Sequence, residues 1–452
     1  MTQHPAPVRL AAATASALVV GSVLLAGPAA AEPAPQRVDR HAVVLVNFRN
    51  LALTDPAKTR ADAVRNFFGT GSTSLASYYA RNSGNRMSVV PAKGDGVFGP
   101  FTIDLDDSAA CDTKKMNDLA RKAVPEVTFD HISVVFHSDF CSNWWGLGSM
   151  PGPNSWFHEG AVDDGAAIIH EIGHNLGFNH QERELCPAGS FTGCTADEYS
   201  HRTPMGGGGE KKGLSAPELL SLKWLTAQQT ATPTASATVH LTPLHAPGTA
   251  GTRAVDLPLG TGGDRIVVEY RTPDPATPDA DVTQGVDVYR VTKGNYNDAV
   301  LISNAKRDDK AAAASLATGG TPLADSAAHL AVSVTKAAAD GADVRIQFGT
   351  DTPATAAPAT TGPATPAPAA KPTKSTAAPA PLSAEHPDNQ AGDLPAATPV
   401  PTAAAPGGGA DLARTGGGSS ALPLSLGAVA VLLAGAVLFL VNRRGTGRRA
   451  RR

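Results

Sequence analysis

Residues 170–180 read His-Glu-Ile-Gly-His-Asn-Leu-Gly-Phe-Asn-His, and this stretch constrains the fold more than any other. His170 and His174 are four residues apart, so on a helix they lie on one face. Gly177 fits the left-handed turn that commonly ends a helix. The reversed chain then brings His180 back towards the same face. The pattern predicts a helix, a tight turn and three converging imidazole rings.

The three histidines have the spacing of metal ligands. Imidazole nitrogen is a common zinc ligand, and three protein ligands leave the fourth tetrahedral position open, as in catalytic zinc sites. We therefore predict that His170, His174 and His180 bind one catalytic Zn²⁺ ion. Glu171 is predicted to be the general base, because it lies beside the ligands and can take a proton from a water molecule that zinc activates. A structural zinc site and a decayed pocket are the alternatives.

A methionine in a turn-forming segment follows the three histidines. Residues 199–206 read Tyr-Ser-His-Arg-Thr-Pro-Met-Gly, which places Met205 downstream of His180 in a segment rich in turn formers. The extended histidine motif followed by a methionine turn resembles the signature of metzincin metallopeptidases. This resemblance implies that the turn at Met205 packs beneath the metal.

Other stretches of the chain also resemble a known family. Together with residues 170–180 they are similar to gametolysin-like metallopeptidases, with kinship to the immune-inhibitor-A type. The resemblance covers about the first half of the chain. It implies peptide-bond hydrolysis, zinc bound by the three histidines, Glu171 as the base and Met205 as the turn residue. The stretches are residues 43–48, 77–84, 194–206, 214–218 and 224–225.

The sequence departs from some metzincins at two places. Gly207 stands where astacins and serralysins have a zinc-binding tyrosine, two residues after the methionine. Little more than an export signal precedes Ala42, so we expect neither a propeptide nor a cysteine switch. Any latency of the enzyme would then have another origin.

Apolar patterning predicts an α/β (α+β) catalytic domain over residues 40–228, metzincin-like by resemblance, with a mixed, mostly parallel sheet and an active-site helix. Residues 235–349 change to short β-rich runs between Gly, Pro and Asp turns, which predicts a small β-sandwich domain. That domain has no catalytic constellation, and we interpret it as a packing or substrate-positioning module. The predicted strands are 42–48, 87–91, 98–103, 131–136, 266–271, 285–291 and 344–348, and the predicted helices are 61–68, 74–80 and 114–123.

The four cysteines lie in one stretch of the chain and none has Cys-x-x-Cys spacing. An even number in an exported chain predicts two disulfides, and a zinc-thiolate site is unfavoured. Three pairings are possible. We favour Cys186 with Cys194, which are close across a loop that contains Gly and Pro, and therefore Cys111 with Cys141.

The N-terminal residues and a segment after residue 349 both have low-complexity patterns. Residues 1–31 combine Arg9, an Ala-rich apolar run and a small-residue cleavage site, which predicts a signal peptide, with a membrane anchor as the alternative. Residues 350–411 are dominated by Pro, Ala and Thr. Such a composition predicts a disordered, extended stalk that could span a cell wall, or a simple linker.

Residues 412–452 resemble a sortase sorting signal. Leu-Ala-Arg-Thr-Gly at 412–416 would be cut between Thr415 and Gly416, and an apolar segment at 421–441 and a basic tail follow. That segment is long enough to span a bilayer, and the arginines favour the cytoplasmic side. The predicted partners are sortase and wall peptidoglycan or a membrane anchor, which places the protein outside a Gram-positive cell. A plain membrane tail is the alternative.

Charge gives a further constraint on partners. The 452-residue chain has a formal net charge of -3 and no basic stripe in its middle, so nucleic acid is not an expected partner. Protein or peptide substrates are expected instead. Two rival functions remain open: a wall-displayed adhesin that uses the domain as a scaffold, and a zinc amidase that remodels the cell wall.

Three further groups invite a functional interpretation. His158 is expected to be a solvated loop residue rather than a metal ligand. Residues 144–149, Trp-Trp-Gly-Leu-Gly-Ser, are expected to form either an edge strand that pairs with substrate backbone or a core tryptophan pair with a turn. Asp104, Asp106 and Asp107 lack a calcium-loop signature, so calcium is neither predicted nor excluded.

Overall fold

The structure is a computed structural model that describes residues 37–109, 111–141, 144–187, 189–303 and 315–349, and the backbone of 411–414. Within this part, the protein is a mixed α/β structure with several sheets and short helices, in agreement with the predicted class. The helices are α1 (Pro56–Ala63), α2 (Leu75–Asn82), α3 (Thr113–Ala123), α4 (Gly165–Asn175) and α5 (Ala216–Ser221).

The strands divide into a first group before α4 and a second group after it. The first group is β1 (Arg37–Asn47), β2 (Met87–Pro91), β3 (Val97–Thr102), β4 (His131–Phe136), β5 (Gly146–Met150) and β6 (Asn154–His158). The second group is β7 (Glu182–Leu185), β8 (Thr195–Tyr199), β9 (Thr230–Ala231), β10 (Ala237–Leu241), β11 (Ala254–Pro258), β12 (Arg265–Arg271), β13 (Gly285–Val291), β14 (Val300–Ser303), β15 (Leu323–Asp325), β16 (Leu330–Ala338), β17 (Gly341–Phe348) and β18 (Asp411–Arg414).

The strand β1 is the centre of the first sheet. It pairs in parallel with β2 along its first half, with β3 along its second half, and with β4 on the opposite edge. Both faces of β1 are covered, which explains why residues 42–46 are all apolar and fully buried. The side chains of Val43 and Leu45 pack on the side of α1, α2 and α4, whereas those of Val44 and Val46 pack on the side of α3.

The other half of this sheet ends in antiparallel strands. The strand β6 pairs in parallel with β4, and β5 pairs antiparallel with β6. The strand β18 lies on the outer edge of β5, also antiparallel, with Ala413 opposite Gly148. The sheet is therefore mixed and mostly parallel, as the sequence predicts.

The remaining strands form two sheets that share a second hydrophobic core. One sheet has the order β8-β7-β14-β13-β12-β11-β9 and the other β10-β17-β16-β15. The shared core contains Val268 and Val288 from the first of these sheets and Val332 and Val344 from the second. Because β7 pairs in parallel with β14, a strand from the segment 40–228 belongs to a sheet of the segment 235–349. The two sequence segments are thus joined by backbone pairing.

Local sequence signals account for most element boundaries. The predicted strands 87–91, 131–136 and 285–291 have the bounds that the structure shows. The helix predicted at 61–68 begins earlier, because Asp55 accepts a hydrogen bond from Lys58 N at 2.9 Å and Pro56 occupies the first turn. Residues 64–68 continue from α1 as a π-helix.

Several predictions concern residues outside the described ranges. These are the signal peptide 1–31, most of the stalk 350–411, the cleavage position Thr415-Gly416, the segment 421–441 and the basic tail. None of the helices in the described ranges is long and apolar enough to cross a membrane.

Both favoured disulfides are present. Cys111 is bonded to Cys141, and Cys186 to Cys194, and no free cysteine remains in the chain. The second bridge closes the short loop between β7 and β8, where the two cysteines have a sequence separation of 8. Disulfides of this kind are typical of exported proteins.

Buried ion pairs join the chain segment after α4 to the second core. The Asp287 carboxylate accepts hydrogen bonds from Arg202 Nε at 2.9 Å and Nη2 at 2.6 Å, and both side chains are almost fully buried. Arg271 pairs with Asp279 in the same region and donates to the backbone oxygen of Arg202 at 2.7 Å. A buried charge that loses its partner strongly destabilises a fold.

We therefore expect Asp287→Asn to lower the free energy of unfolding by roughly 3 to 5 kcal/mol, because it leaves the Arg202 guanidinium buried beside a neutral amide. The matched control is Asp118→Asn, which breaks the exposed pair with Lys114 on α3 and should leave stability almost unchanged. Urea unfolding of the two variants measures the difference. Equal unfolding midpoints would contradict a structural role for the buried pair.

Candidate metal centre

The helix α4 carries the first two predicted metal ligands. Asp164 caps it, since its side chain accepts a hydrogen bond from Ala166 N at 2.9 Å. From Ala167 to its last residue the helix is buried, including its polar side chains. The helix therefore holds titratable groups inside the protein, where water reaches them poorly.

The structure brings the three predicted ligands together. His174 Nε2 lies 3.0 Å from His170 Nε2, and His180 Nε2 lies 3.2 Å from the same atom. Two nitrogens on one tetrahedral zinc ion are separated by about 3.3 Å, given zinc–nitrogen bonds of about 2.05 Å. The three imidazoles therefore form a group that could hold one metal ion, with two nitrogen–nitrogen distances close to this value.

The outer nitrogens of two rings are fixed by backbone carbonyls. His170 Nδ1 donates to Pro204 O at 2.9 Å, and His174 Nδ1 donates to Phe178 O at 2.7 Å. A carbonyl oxygen only accepts, so both Nδ1 atoms carry the hydrogen and both Nε2 lone pairs face the shared centre. The Tyr199 hydroxyl contacts His180 Nδ1 at 3.4 Å.

Burial keeps these rings neutral. It lowers the pKa of His170 well below its usual value, and the neighbouring rings of His174 and His180 lower it further. Burial and His180 together lower the pKa of His174 to about 3, and burial also lowers the pKa of His180. Neutral imidazole is the form that binds a metal, so the site is ready for a cation at physiological pH.

The turn after α4 follows the sequence prediction. Gly177 has a φ of 101°, a conformation that side chains rarely adopt. Phe178 N donates to Gly173 O at 3.1 Å, which closes the turn and directs His180 back to the helix. Asn179 N then donates to Asn297 O at 3.0 Å, so the returning chain is also held by the second half of the protein.

The predicted methionine turn lies next to the histidines. Met205 is 1% exposed and sits in a 3-10 turn, Pro204–Gly206, whose first carbonyl holds His170. A Cβ atom at Gly173 would lie 2.3 Å from Met205 Sδ, so the thioether packs directly against the helix backbone. Met205 therefore occupies the position that the resemblance implies.

Tyr199 is a residue that the sequence interpretation missed. Its ring packs edge-on against His180 with centroids 5.2 Å apart. It comes before the methionine rather than two residues after it, where Gly207 stands. Tyr199 lies next to His180 because β7 pairs with β8, which places Tyr199 opposite Glu182. No local sequence motif predicts this contact.

The strand β5 passes unusually close to α4. A Cβ at Gly148 would lie 2.4 Å from Glu171 O and 2.9 Å from His174 Cβ, and one at Gly146 would lie 2.8 Å from Glu171 Oε1. Asn175 Nδ2 reinforces the contact by donating to Ser149 O at 2.9 Å. Glu171 follows His170 directly on the helix, is fully buried, and has its carboxylate against this strand.

Residues 144–149 contain a strand rather than a core tryptophan pair, because Trp145 is exposed. Trp144 is buried in the core, and β5 follows it as a strand. The prediction that His158 is a solvated loop residue is wrong, because it ends β6, is 3% exposed and stacks on Trp144 with centroids 5.2 Å apart. Flanking aromatic rings, including Phe136, enclose it away from the metal ligands.

The three aspartates considered for calcium have other partners. Arg49 pairs with both Asp104 and Asp106, and Asn50 Nδ2 donates to Asp107 Oδ1 at 2.6 Å. These contacts tie the loop before α3 to the end of β1. Each of the three carboxylates therefore has a partner within the protein.

A scan against protein-family models and a search of curated proteins found no match to this chain. The resemblance to gametolysin-like metallopeptidases therefore stays a prediction from motifs.

Gly148→Ala should displace β5 from α4, because the new methyl group would meet backbone and Cβ atoms that cannot rotate away. We expect a loss of stability of about 1 to 3 kcal/mol and weaker metal binding. The control is Gly71→Ala, where nothing lies within 4 Å of the new methyl group. Thermal unfolding and competition with a chelator measure both effects, and unchanged behaviour of Gly148→Ala would contradict the close contact.

Proposed function

We propose that the protein is a zinc endopeptidase of the metzincin type that hydrolyses peptide bonds of extracellular proteins. The observation that carries this proposal is the convergence of the imidazoles of His170, His174 and the partly buried His180, with the buried Glu171 next to His170 on the same helix. A purely structural metal site has no need of an adjacent carboxylate that is not a ligand.

The chemistry divides between the cation and the chain. When bound by His170, His174 and His180, zinc makes water more acidic and polarises a carbonyl group. Glu171 accepts the proton of the attacking water and passes it to the leaving amine nitrogen. In this proposal the nucleophile is water rather than a side chain, so hydrolysis is direct and forms no acyl intermediate.

The strand β5 offers a binding edge for an extended substrate. Its outer edge accepts the antiparallel segment β18, which shows the backbone groups of β5 directed outward for pairing. A peptide bound in the same way would lie along α4 and its metal ligands, because β5 packs on that helix. Backbone pairing provides affinity with little dependence on sequence, which suits an endopeptidase.

The finer fold assignment is part of this proposal. The parallel sheet with α4 at its antiparallel edge, the turn at Gly177 and the turn at Met205 support a metzincin fold. The two sheets that share the second core support a β-sandwich over most of residues 235–349. We propose that this sandwich positions the metal centre, since Asn297 and Arg271 hold the chain on either side of it.

We further propose that the protein acts outside a Gram-positive cell. The two disulfides fit an oxidising compartment. The sequence patterns at 1–31 and 412–452 add export, sortase cleavage and attachment to wall peptidoglycan or membrane. The proposed partners are protein or peptide substrates and sortase, and nucleic acid is not among them.

The adhesin and amidase alternatives can be separated in one assay. Denatured proteins and purified cell wall are incubated with the protein, with and without a chelator. An endopeptidase produces new protein N-termini that chelation abolishes, an amidase releases wall peptides, and an adhesin does neither. Sequencing the new N-termini would also identify the preferred peptide.

Glu171→Gln keeps the size of the side chain and the helix but cannot accept a proton. We expect peptide turnover to fall by about 10² to 10⁴-fold, while the zinc content stays at the wild-type value. His174→Ala should instead lose one zinc ion together with activity. Elemental analysis beside peptide turnover decides the point: full turnover, or a loss of metal, in Glu171→Gln would refute the assigned role.

Thr415→Ala removes the residue after which sortase would cut. We expect the protein to move from the wall fraction to the membrane fraction, because the apolar segment at 421–441 then stays attached. The matched control is Thr402→Ala in the Pro/Ala/Thr-rich segment. If wall-digesting enzymes release the Thr415→Ala variant as well as the control, the sorting signal is wrong.

A further inference from the structure

A second group of potential metal ligands lies at the start of the central strand. Asp39 and His41 are two residues apart on β1, so their side chains are on the same face. The parallel register places His131, the first residue of β4, directly opposite His41. One ligand atom from each of the three lies within 4.8 Å of the others. None of these residues belongs to the metal centre on α4.

All three side chains are buried, and several of their polar atoms have no hydrogen-bond partner. Asp39 is 1% exposed, His41 0% and His131 5%. Both carboxylate oxygens of Asp39 and the Nδ1 atoms of the two histidines form no hydrogen bond of acceptable geometry with the described residues. Buried polar atoms normally have a partner, and leaving one without a partner costs about 1 to 3 kcal/mol. Two of these atoms, Asp39 Oδ2 and His131 Nδ1, lie 2.7 Å apart, and a bound cation would provide a partner for all four.

The outer nitrogen of one ring is already engaged. His41 Nε2 contacts Ser133 Oγ at 2.8 Å, which in turn contacts Ser155 Oγ at 2.7 Å. With Ser133 donating to Ser155 and accepting from His41, the His41 Nδ1 atom has a lone pair directed at the cluster. This is the arrangement by which metal-binding histidines are oriented.

An ion pair without metal is the competing explanation. Asp39 Oδ2 lies 2.7 Å from His131 Nδ1 and 3.6 Å from Arg37 Nη2. A protonated His131 would neutralise the carboxylate. It would leave His41 Nδ1, which is 4.0 Å from Asp39 Oδ1, without a partner. The ion pair therefore explains only two of the three side chains.

We propose that Asp39, His41 and His131 bind a second zinc ion that fastens β1 to β4. Two imidazoles and one carboxylate are a zinc donor set. The site is covered by the aromatic rings of Phe67 and Phe68, which lie 5.2 and 6.4 Å from the His41 ring. A substrate cannot reach a buried site of this kind, so its role is structural.

Zinc content per chain tests the proposal on the full-length protein. The wild-type chain should hold two zinc ions, and His131→Asn and His174→Ala one each. The control is His240→Asn, an exposed histidine paired with Asp343, which should keep both ions. A His131→Asn protein with the wild-type zinc content would overturn the proposal. A His174→Ala protein with the wild-type content would instead count against the metal centre on α4 alone.

A second measurement covers the case in which His131→Asn does not fold. The His174→Ala protein retains the cluster at Asp39 intact, so added zinc should still raise its unfolding temperature by binding only the native state. The Asp39→Asn, His174→Ala double variant keeps the size of the side chain and should lose this response. Absence of a zinc-dependent shift in His174→Ala, after prior removal of metal, would also overturn the proposal.

Discussion

The contact between α4 and β5 is the constraint on which the metal centre depends. Because residues 146 and 148 are glycines, β5 lies so close to α4 that a Cβ atom at either position would overlap with atoms of Glu171 or His174. That approach excludes water from the carboxylate and the imidazoles. It keeps the histidines neutral, and it fixes their distance from the edge of the sheet. A looser contact would hydrate the histidines and the carboxylate of Glu171.

The second half of the protein supports this centre from the opposite side. The turn that contains Met205 is held at two points. The backbone carbonyl of Pro204 accepts a hydrogen bond from His170, and Arg202, which precedes the turn, pairs with Asp287 on β13. Arg271 on β12 donates to the backbone oxygens of Arg202 and Gly213 on either side of that turn. Buried arginines can satisfy several carbonyls at once, which apolar residues cannot do. The chain therefore positions its third ligand and methionine turn with strands that follow them in sequence.

The structural features that depend on local residue spacing can be predicted from the sequence. The helix, the turn at Gly177 and the burial of residues 42–46 follow from periodicity and turn chemistry, and the structure agrees. The contact of Tyr199 with His180 and the pairing of β7 with β14 depend on long-range register, so no motif predicts them. The prediction for His158 is wrong for the same reason, because only the fold shows that this residue ends a strand and stacks on Trp144.

The alternation along β1 explains why its first residues are unusual. Residues 39, 41, 43 and 45 face the same core, and the last two are valine and leucine, as a buried parallel strand requires. Asp39 and His41 occupy equally buried positions, where desolvation of a carboxylate is expensive. Desolvation alone would raise the pKa of Asp39, yet the histidines and Arg37 lower it below its usual value. The pocket thus favours the ionised carboxylate, because the two histidines and the Arg37 guanidinium lie beside it.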